Sequence, residues 1–124
     1  MNEQEMLAFI NKATEFKIRD DNGSYVIYSV ITSVTTESKY SKKEYAEIAL
    51  LTLVNRIIRK TPFMIVPIET NGKLQFEILR CEEIEKIKGI YICEKCNEVI
   101  TKRFSELGDV VKDLQAYLVS RTNQ

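Results

Sequence analysis

The stretch FMIVPIETNGKLQFEILR, residues 63–80, decides the fold of this chain. Asn71-Gly72 stands at its centre, and Asn-Gly readily adopts the positive φ angles of a two-residue hairpin turn. Such a turn pairs Thr70 with Lys73, and the alternation of side chains then places the apolar residues on one face. That face consists of Phe63, Ile65, Leu74, Phe76 and Ile78. The stretch therefore predicts an antiparallel hairpin with one face in the core.

Pro67 limits where one strand of this hairpin can lie, and a second Asn-Gly pair predicts another hairpin earlier in the chain. Pro67 has no amide donor, so we expect the strand that carries it to lie at a sheet edge or at a bulge. Asn22-Gly23 predicts an earlier hairpin of the same kind, in which residues 16–20 precede the turn. Residues 25–36 follow it and are rich in β-branched and aromatic side chains, which predicts one long strand.

Apolar residues at helical spacing predict three helices around the hairpins. The first helix begins after Asn2, with Glu5 placed as in a capping box, and the last begins after Ser105. The middle helix, residues 41–60, has an apolar stripe that covers more than half of its circumference. A stripe of that width indicates a helix that is buried on several sides or that also faces a partner. The pattern predicts an α+β fold: an antiparallel sheet built from Asn-Gly hairpins, with about three helices packed on it.

A pair of cysteines near the C-terminal end has the spacing of a metal-binding turn. Residues 81–88 are charged and suggest a short helical turn, residues 89–92 predict a strand, and residues 98–101 predict a return strand. Between these strands lie Cys93 and Cys96, followed by Asn97, which tolerates the positive φ that such a turn needs. This Cys-x-x-Cys hairpin resembles one knuckle of a zinc ribbon, and the resemblance implies that both sulfurs bind zinc.

The ligand set for zinc is incomplete, because a structural zinc site needs four ligands and the chain has three cysteines and no histidine. Cys81 could act as a third ligand, with Glu82, Glu83 or water as the fourth. Alternatively, two chains could each contribute Cys93 and Cys96, or a partner protein could complete the site. A hairpin with two reduced thiols and no metal is the plain alternative. Redox chemistry is less favoured, because reactive Cys-x-x-Cys thiols usually sit at a helix N-terminus and a strand is predicted here.

Size and composition limit the class of protein. With 124 residues, the chain is expected to form one domain, residues 1–124. Eighteen basic and eighteen acidic residues cancel, which argues against a protein built mainly to bind phosphates. An odd, small number of cysteines, the lack of a secretory signal and the lack of a membrane-spanning stretch predict a cytoplasmic protein with no membrane partner. The abundance of lysine, isoleucine, glutamate and asparagine is typical of AT-rich genomes and fits a bacterial or phage protein.

The sequence favours binding over catalysis. Without histidine there is no Ser-His or Cys-His pair, and no glycine-rich phosphate loop is present, so we do not expect an enzyme. The leading hypothesis is a small regulatory protein that binds another protein, most simply a second copy of itself as a homodimer. A zinc-knuckle nucleic-acid-binding regulator is the alternative, and a thiol redox protein the second alternative. Basic residues and tyrosines that would serve nucleic-acid binding are Lys17, Arg19, Lys95, Lys102, Arg103, Tyr25, Tyr28 and Tyr91.

Overall fold

The structure, a computed structural model, describes residues 2–81, 84–87, 90–93, 96–99 and 104–122. Three helices and seven strands lie within these residues, and the α+β class predicted from the sequence is confirmed. In chain order the elements are α1 (Glu3–Ala13), β1 (Phe16–Asp21), β2 (Ser24–Ser29), α2 (Lys43–Ile57), β3 (Phe63–Thr70), β4 (Lys73–Cys81), β5 (Ile84–Ile87), β6 (Ile90–Cys93), β7 (Cys96–Val99) and α3 (Leu107–Thr122).

The first and last helices pack against each other in antiparallel orientation. Asn2 caps α1, since its Oδ1 accepts a hydrogen bond from the N–H of Glu5 at 2.9 Å. At that end of the pair, Arg121 approaches Glu3 at 3.6 Å. Further along, the Gln115 amide donates to Asn11 at 2.8 Å. The C-terminal end of α1 therefore lies beside the N-terminal end of α3.

The strands β1 and β2 form an antiparallel pair around Asn22 and Gly23, whose φ angles are 55° and 88°. The strand β2 ends at Ser29, whereas the sequence predicted one strand through residue 36. The chain instead turns at residues 30–33 and returns along the outer edge of β2, where Tyr40 and Tyr25 exchange hydrogen bonds of 2.7 and 2.9 Å. The expectation of a long strand is therefore wrong, and β2 lies between β1 and the returning segment.

A second sheet is formed by β3, β4 and β7, with β4 in the centre. The turn at Asn71 and Gly72 pairs Thr70 with Lys73 and Pro67 with Phe76. The strand β3 lies at the edge of this sheet, which is the position predicted for the proline-bearing strand. Beyond the end of β7, the backbone of Phe104 exchanges two hydrogen bonds with Phe76.

The described strands do not join into the single sheet that the sequence predicted. Besides the two sheets above, β5 and β6 form a separate antiparallel pair. The strand β5 occupies part of the segment for which a helical turn was predicted, so that expectation is wrong. The helix α2 contacts α1, α3, β1, β2 and β3. Both hairpins therefore pack on one central helix instead of pairing edge to edge.

The core lies where the three helices meet the two hairpins. The buried face of β3 and β4 is the one predicted, with Leu74 at its margin half-buried. The contribution of α3 also matches its apolar spacing. The side chains that are almost completely buried include Ile10, Val26, Val54, Ile58, Phe63, Ile65, Phe76, Ile78, Leu107, Val110, Leu114 and Leu118.

Candidate functional site

The backbone register places two of the three cysteines opposite each other. Cys81 at the end of β4 is the cross-strand partner of Cys96 at the start of β7, next to an irregularity in the pairing. Cys93 ends β6 and pairs with Ile84 of β5. In the described residues β6 and β7 pair with different strands, β5 and β4, and not with each other. The turn at Glu94 and Lys95 that would make the knuckle lies outside the described residues.

The side chains of Cys81, Cys93 and Cys96 also lie outside what the structure describes, so the metal site remains a prediction. Among the side chains that it does describe, no group of three or more carboxylates or thiols is arranged to hold a metal ion. The strand β7, Cys96–Val99, overlaps the first two residues of the return strand predicted at 98–101, and residues 100 and 101 lie outside the described residues.

A loop that the sequence analysis did not single out presents the most exposed apolar side chains of the described chain. We call residues 30–34, between β2 and the returning segment, the apolar loop. Val30 is 46% exposed, Ile31 76% and Val34 65%. Large aliphatic side chains exposed together in this way commonly mark a surface that contacts another molecule.

The conformation of the apolar loop is fixed by Ser29. This residue is 5% exposed, and its hydroxyl oxygen accepts hydrogen bonds from the N–H groups of Ile31 and Thr32 at 3.2 and 3.1 Å. The same hydroxyl donates to a carboxylate oxygen of Glu15 at 2.7 Å. Ser33 completes the turn with a φ of 62°. The loop therefore presents its apolar side chains on an ordered backbone.

The signal for this loop is present in the sequence as Ser29-Val30-Ile31-Thr32-Ser33. Serine and threonine hydroxyls bond nearby backbone N–H groups and so compete with strand pairing. The β-branched residues around them favour a strand, and one long strand was therefore predicted here.

The wide apolar stripe of the middle helix is explained largely by burial. Leu50, Leu51 and Val54 are buried, as the contacts of α2 with five other elements require. The most exposed part of the stripe is in the first turns of the helix, where Tyr45 is 53% and Ile48 is 41% exposed, while Leu53 and Ile57 further along are half-buried. Of the two interpretations of the stripe, burial on several sides accounts for most of its width.

A cavity of about 250 Å³ lies between β1, α2 and the N-terminal turns of α3. Glu47 on its wall is 6% exposed and accepts a hydrogen bond from the N–H of Leu107 at 3.0 Å. Burial raises the pKa of the Glu47 carboxyl, while that hydrogen bond and the charge of Lys43 act to lower it. The Lys43 ammonium donates to Glu106 at 2.7 Å, and this hydrogen bond raises the pKa of the lysine. The two carboxylates thus tie α2 to the start of α3.

The residues proposed for nucleic-acid binding on the first hairpin have local contacts. Tyr25 and Tyr28 are half-buried, and the Arg19 guanidinium lies 5.3 Å from the centre of the Tyr28 ring. Lys17 is exposed. The side chain of Tyr91, and Lys95, Lys102 and Arg103, lie outside what is described. The first hairpin thus offers a cation and a partly covered ring rather than an open row of stacking platforms.

The protein is α+β in class, with the apolar loop and the cavity as its most distinctive surface features. Comparison of the chain with models of protein families, with curated proteins and with solved structures finds no match. None of the helices in the described part of the chain is long and apolar enough to cross a membrane.

Proposed function

We propose that this protein acts by binding another protein, and that its partner is a second copy of itself. The observation that carries the proposal is the apolar loop, where Ile31 alone is 76% exposed. It would make the chain a small cytoplasmic regulatory protein of bacterial or phage type, without enzymatic activity of its own.

The hydrogen bonds around Ser29 support this function on energetic grounds. A contact loop that is already ordered loses little conformational freedom when it binds, so more of the energy of burying its apolar side chains is available for affinity. Val30, Ile31 and Val34 lie within five residues of one another and are all exposed, and small groups of side chains carry most of the binding energy in interfaces. Tyr45 and Ile48 add exposed apolar area on α2.

Sedimentation velocity over a range of concentrations tests the proposal. We expect the wild-type chain to sediment as a dimer and the Ile31→Asp variant as a monomer, because the new carboxylate would be desolvated in the interface. The variant should keep the wild-type circular dichroism spectrum, since the Ile31 side chain is mostly in solvent, although its unfolding midpoint should lose the part that dimerisation contributes.

A matched control is Val119→Asp, which places the same charge at another exposed apolar position, 39% exposed on α3. This variant should remain a dimer. A wild-type chain that stays monomeric at all concentrations, or a dimer that survives Ile31→Asp, would contradict the proposal.

Zinc binding is a second candidate, favoured by the register that sets Cys81 opposite Cys96. Cross-strand partners lie about 4.5–5.5 Å apart, which is close enough for two sulfurs to share one ion. Native mass spectrometry of protein purified without chelator tests it. One zinc per chain would support a site with Cys81, Cys93 and Cys96, one zinc per two chains a site across a dimer, and no zinc would reject the candidate.

A further inference from the structure

The outer edge of β1 carries backbone groups without partners. A two-residue turn makes Asp21 and Ser24 a hydrogen-bonded pair, and such pairs alternate along an antiparallel ladder. The hydrogen bond from Val30 N–H to the Glu15 carbonyl, at 2.9 Å, fits that phase. The N–H and C=O groups of Phe16 and Ile18 must then point away from β2. No hydrogen bond to them occurs among the residues that the structure describes.

The cavity lies along this free edge. It is lined by Phe16, Lys17 and Ile18 in succession. Because successive strand side chains point to opposite faces, a cavity that touches three residues in a row lies along the edge of the strand. Residues of α2 form its floor, and the first turns of α3 form the opposite wall. We call this space the edge cleft.

The shape of the edge cleft suits an extended chain. Its volume of about 250 Å³ is just below the range of roughly 300–1,000 Å³ for pockets that enclose a compact ligand. Leu50 and Val54 on the floor and Val111 on the wall are buried and apolar. Because these three side chains are closed to solvent, an aliphatic side chain of a ligand would instead contact Phe16 and Ile18, which also line the cleft and are half-buried.

The charges around the edge cleft favour an acidic neighbour to that side chain. Lys17 and Lys112 line the cleft and are exposed, and neither has an ion pair within the described chain. Lys43 is paired with Glu106, and Asp109 stands in the first turn of α3, where the helix dipole balances a negative charge. Among the described residues, the charges left for a ligand to meet are therefore those of Lys17, Lys112 and Asp109, an excess of one positive charge.

We propose that the edge cleft binds an extended segment of a partner protein, which pairs with β1 as an added strand, places an aliphatic side chain against Phe16 and Ile18 and sets an acidic residue near Lys17 and Lys112. The β1 strand of a second copy does not fit, because the edge at residues 16–18 lies inside the same cleft in every copy. This mode of recognition takes its affinity from backbone hydrogen bonds and its selectivity from the pockets between them.

Selection from a displayed library of random ten-residue peptides on the full chain tests the proposal. We expect enriched peptides to contain an aliphatic residue with an acidic neighbour and to bind less tightly as salt rises. Amide exchange of the synthesised peptide in complex with the protein should show slower exchange at Phe16 and Ile18. A selection that enriches no peptide, or binding that leaves those two amides unchanged, overturns the proposal.

Gly108 offers a variant that adds a side chain at the lining of the edge cleft without disturbing the core. Gly108 lines the cleft, and a Cβ built on it meets no atom within 4 Å. Gly108→Phe should weaken peptide binding at least tenfold, whereas Gly108→Ala should bind nearly as wild type. Both should be at least as stable as wild type, since glycine is a poor helix former.

The same variants separate this proposal from the apolar loop. Peptide binding that resists Gly108→Phe but is lost in Ile31→Asp would place the partner on the apolar loop and reject the edge cleft. A monomeric wild-type chain that still binds peptide at the edge cleft would reject self-association and leave the edge cleft standing.

Discussion

The strands β1 and β3 each have an outer edge without a neighbouring strand, but they differ in whether other groups pair with the backbone N–H and C=O groups of that edge. Each strand has one neighbour, so every second residue directs an N–H and a C=O away from the sheet. On β3 the outward groups of Ile65 are satisfied, and Pro67 lacks an N–H. The Asn55 amide donates to the Ile65 carbonyl at 2.9 Å and accepts from the Ile65 N–H at 3.1 Å. On β1 the groups of Phe16 and Ile18 have no hydrogen-bond partner among the described residues, and they lie beside a cavity.

The position of α2 explains why the edges of β3 and β1 differ. Asn55 lies on α2, so the central helix supplies β3 with a side chain in place of a neighbouring strand. The helix approaches β1 as well, but there it contributes the apolar floor of a cleft. The middle of the β3 edge is therefore blocked to an added strand, whereas the edge of β1 at Phe16 and Ile18 is not.

The largest effect on stability is expected from Asn55→Ala, which removes the side chain that pairs with the outer edge of β3. Asn55→Ala leaves the N–H and C=O of Ile65, which is 1% exposed, without partners. An unsatisfied buried polar group costs about 1–3 kcal/mol, so we expect a loss of about 2–4 kcal/mol in the free energy of unfolding measured in urea. Thr52→Ala, an exposed position one turn earlier in α2, should change it by less than about 0.5 kcal/mol. Equal losses in the two variants would contradict the role of Asn55.

Amide hydrogen exchange of the free protein should sharpen the comparison without any substitution. Along β1 we expect slow exchange at Lys17 and Arg19, which bond to β2, and exchange at least about tenfold faster at Phe16 and Ile18. Ile65 on β3 has the same outward orientation as Ile18 but should exchange slowly, because Asn55 accepts its hydrogen bond. Uniform protection along β1 would show that its outer edge is already paired.

The smallest effect concerns the pH dependence of stability at the wall of the edge cleft. Because burial raises the pKa of Glu47 in the folded chain, this residue contributes stability that is complete below its unfolded pKa and is lost as pH rises through the folded value. In Glu47→Gln the side-chain oxygen can still accept from Leu107, but the group no longer titrates. Urea midpoints of this variant should therefore fall less than those of the wild type as pH rises from about 4 to 7.

Glu44→Gln, at an exposed position on the same helix, serves as the control and should keep the pH profile of the wild type. If Glu47→Gln follows that same profile, the carboxyl does not titrate differently in the folded chain.

Local signals made much of the fold predictable. The position of Asn71 and Gly72 determines the pairing of β3 with β4, and helical spacing determines which face of α3 is buried. The end of β2 was missed because a single hydroxyl, that of Ser29, decides it, and β-branched neighbours favour continuing the strand. The division into separate sheets depends on where α2 packs, which its apolar stripe does not specify.

The candidate sites were less accessible to sequence reasoning. The apolar loop was not predicted because residues 25–36 were expected to form one strand. The hydroxyl residues Ser29, Thr32 and Ser33 are the local signal that the strand ends there. The edge cleft joins β1 to the start of α3, about ninety residues apart in sequence, and no local pattern announces such a contact. The cysteines were visible at once, but their ligand set depends on neighbours that spacing does not identify.

The antiparallel packing of α1 and α3 has a practical consequence for experiments on this molecule. Glu3 and Arg121 meet at one end of the helix pair, while Ala13 and Gly108, at the opposite helix ends, line the edge cleft. Eleven residues of helix span about 16 Å. A dye, an affinity handle or a solid support attached beside Glu3 or Arg121 would therefore lie well away from the cleft and would not block ligands from it.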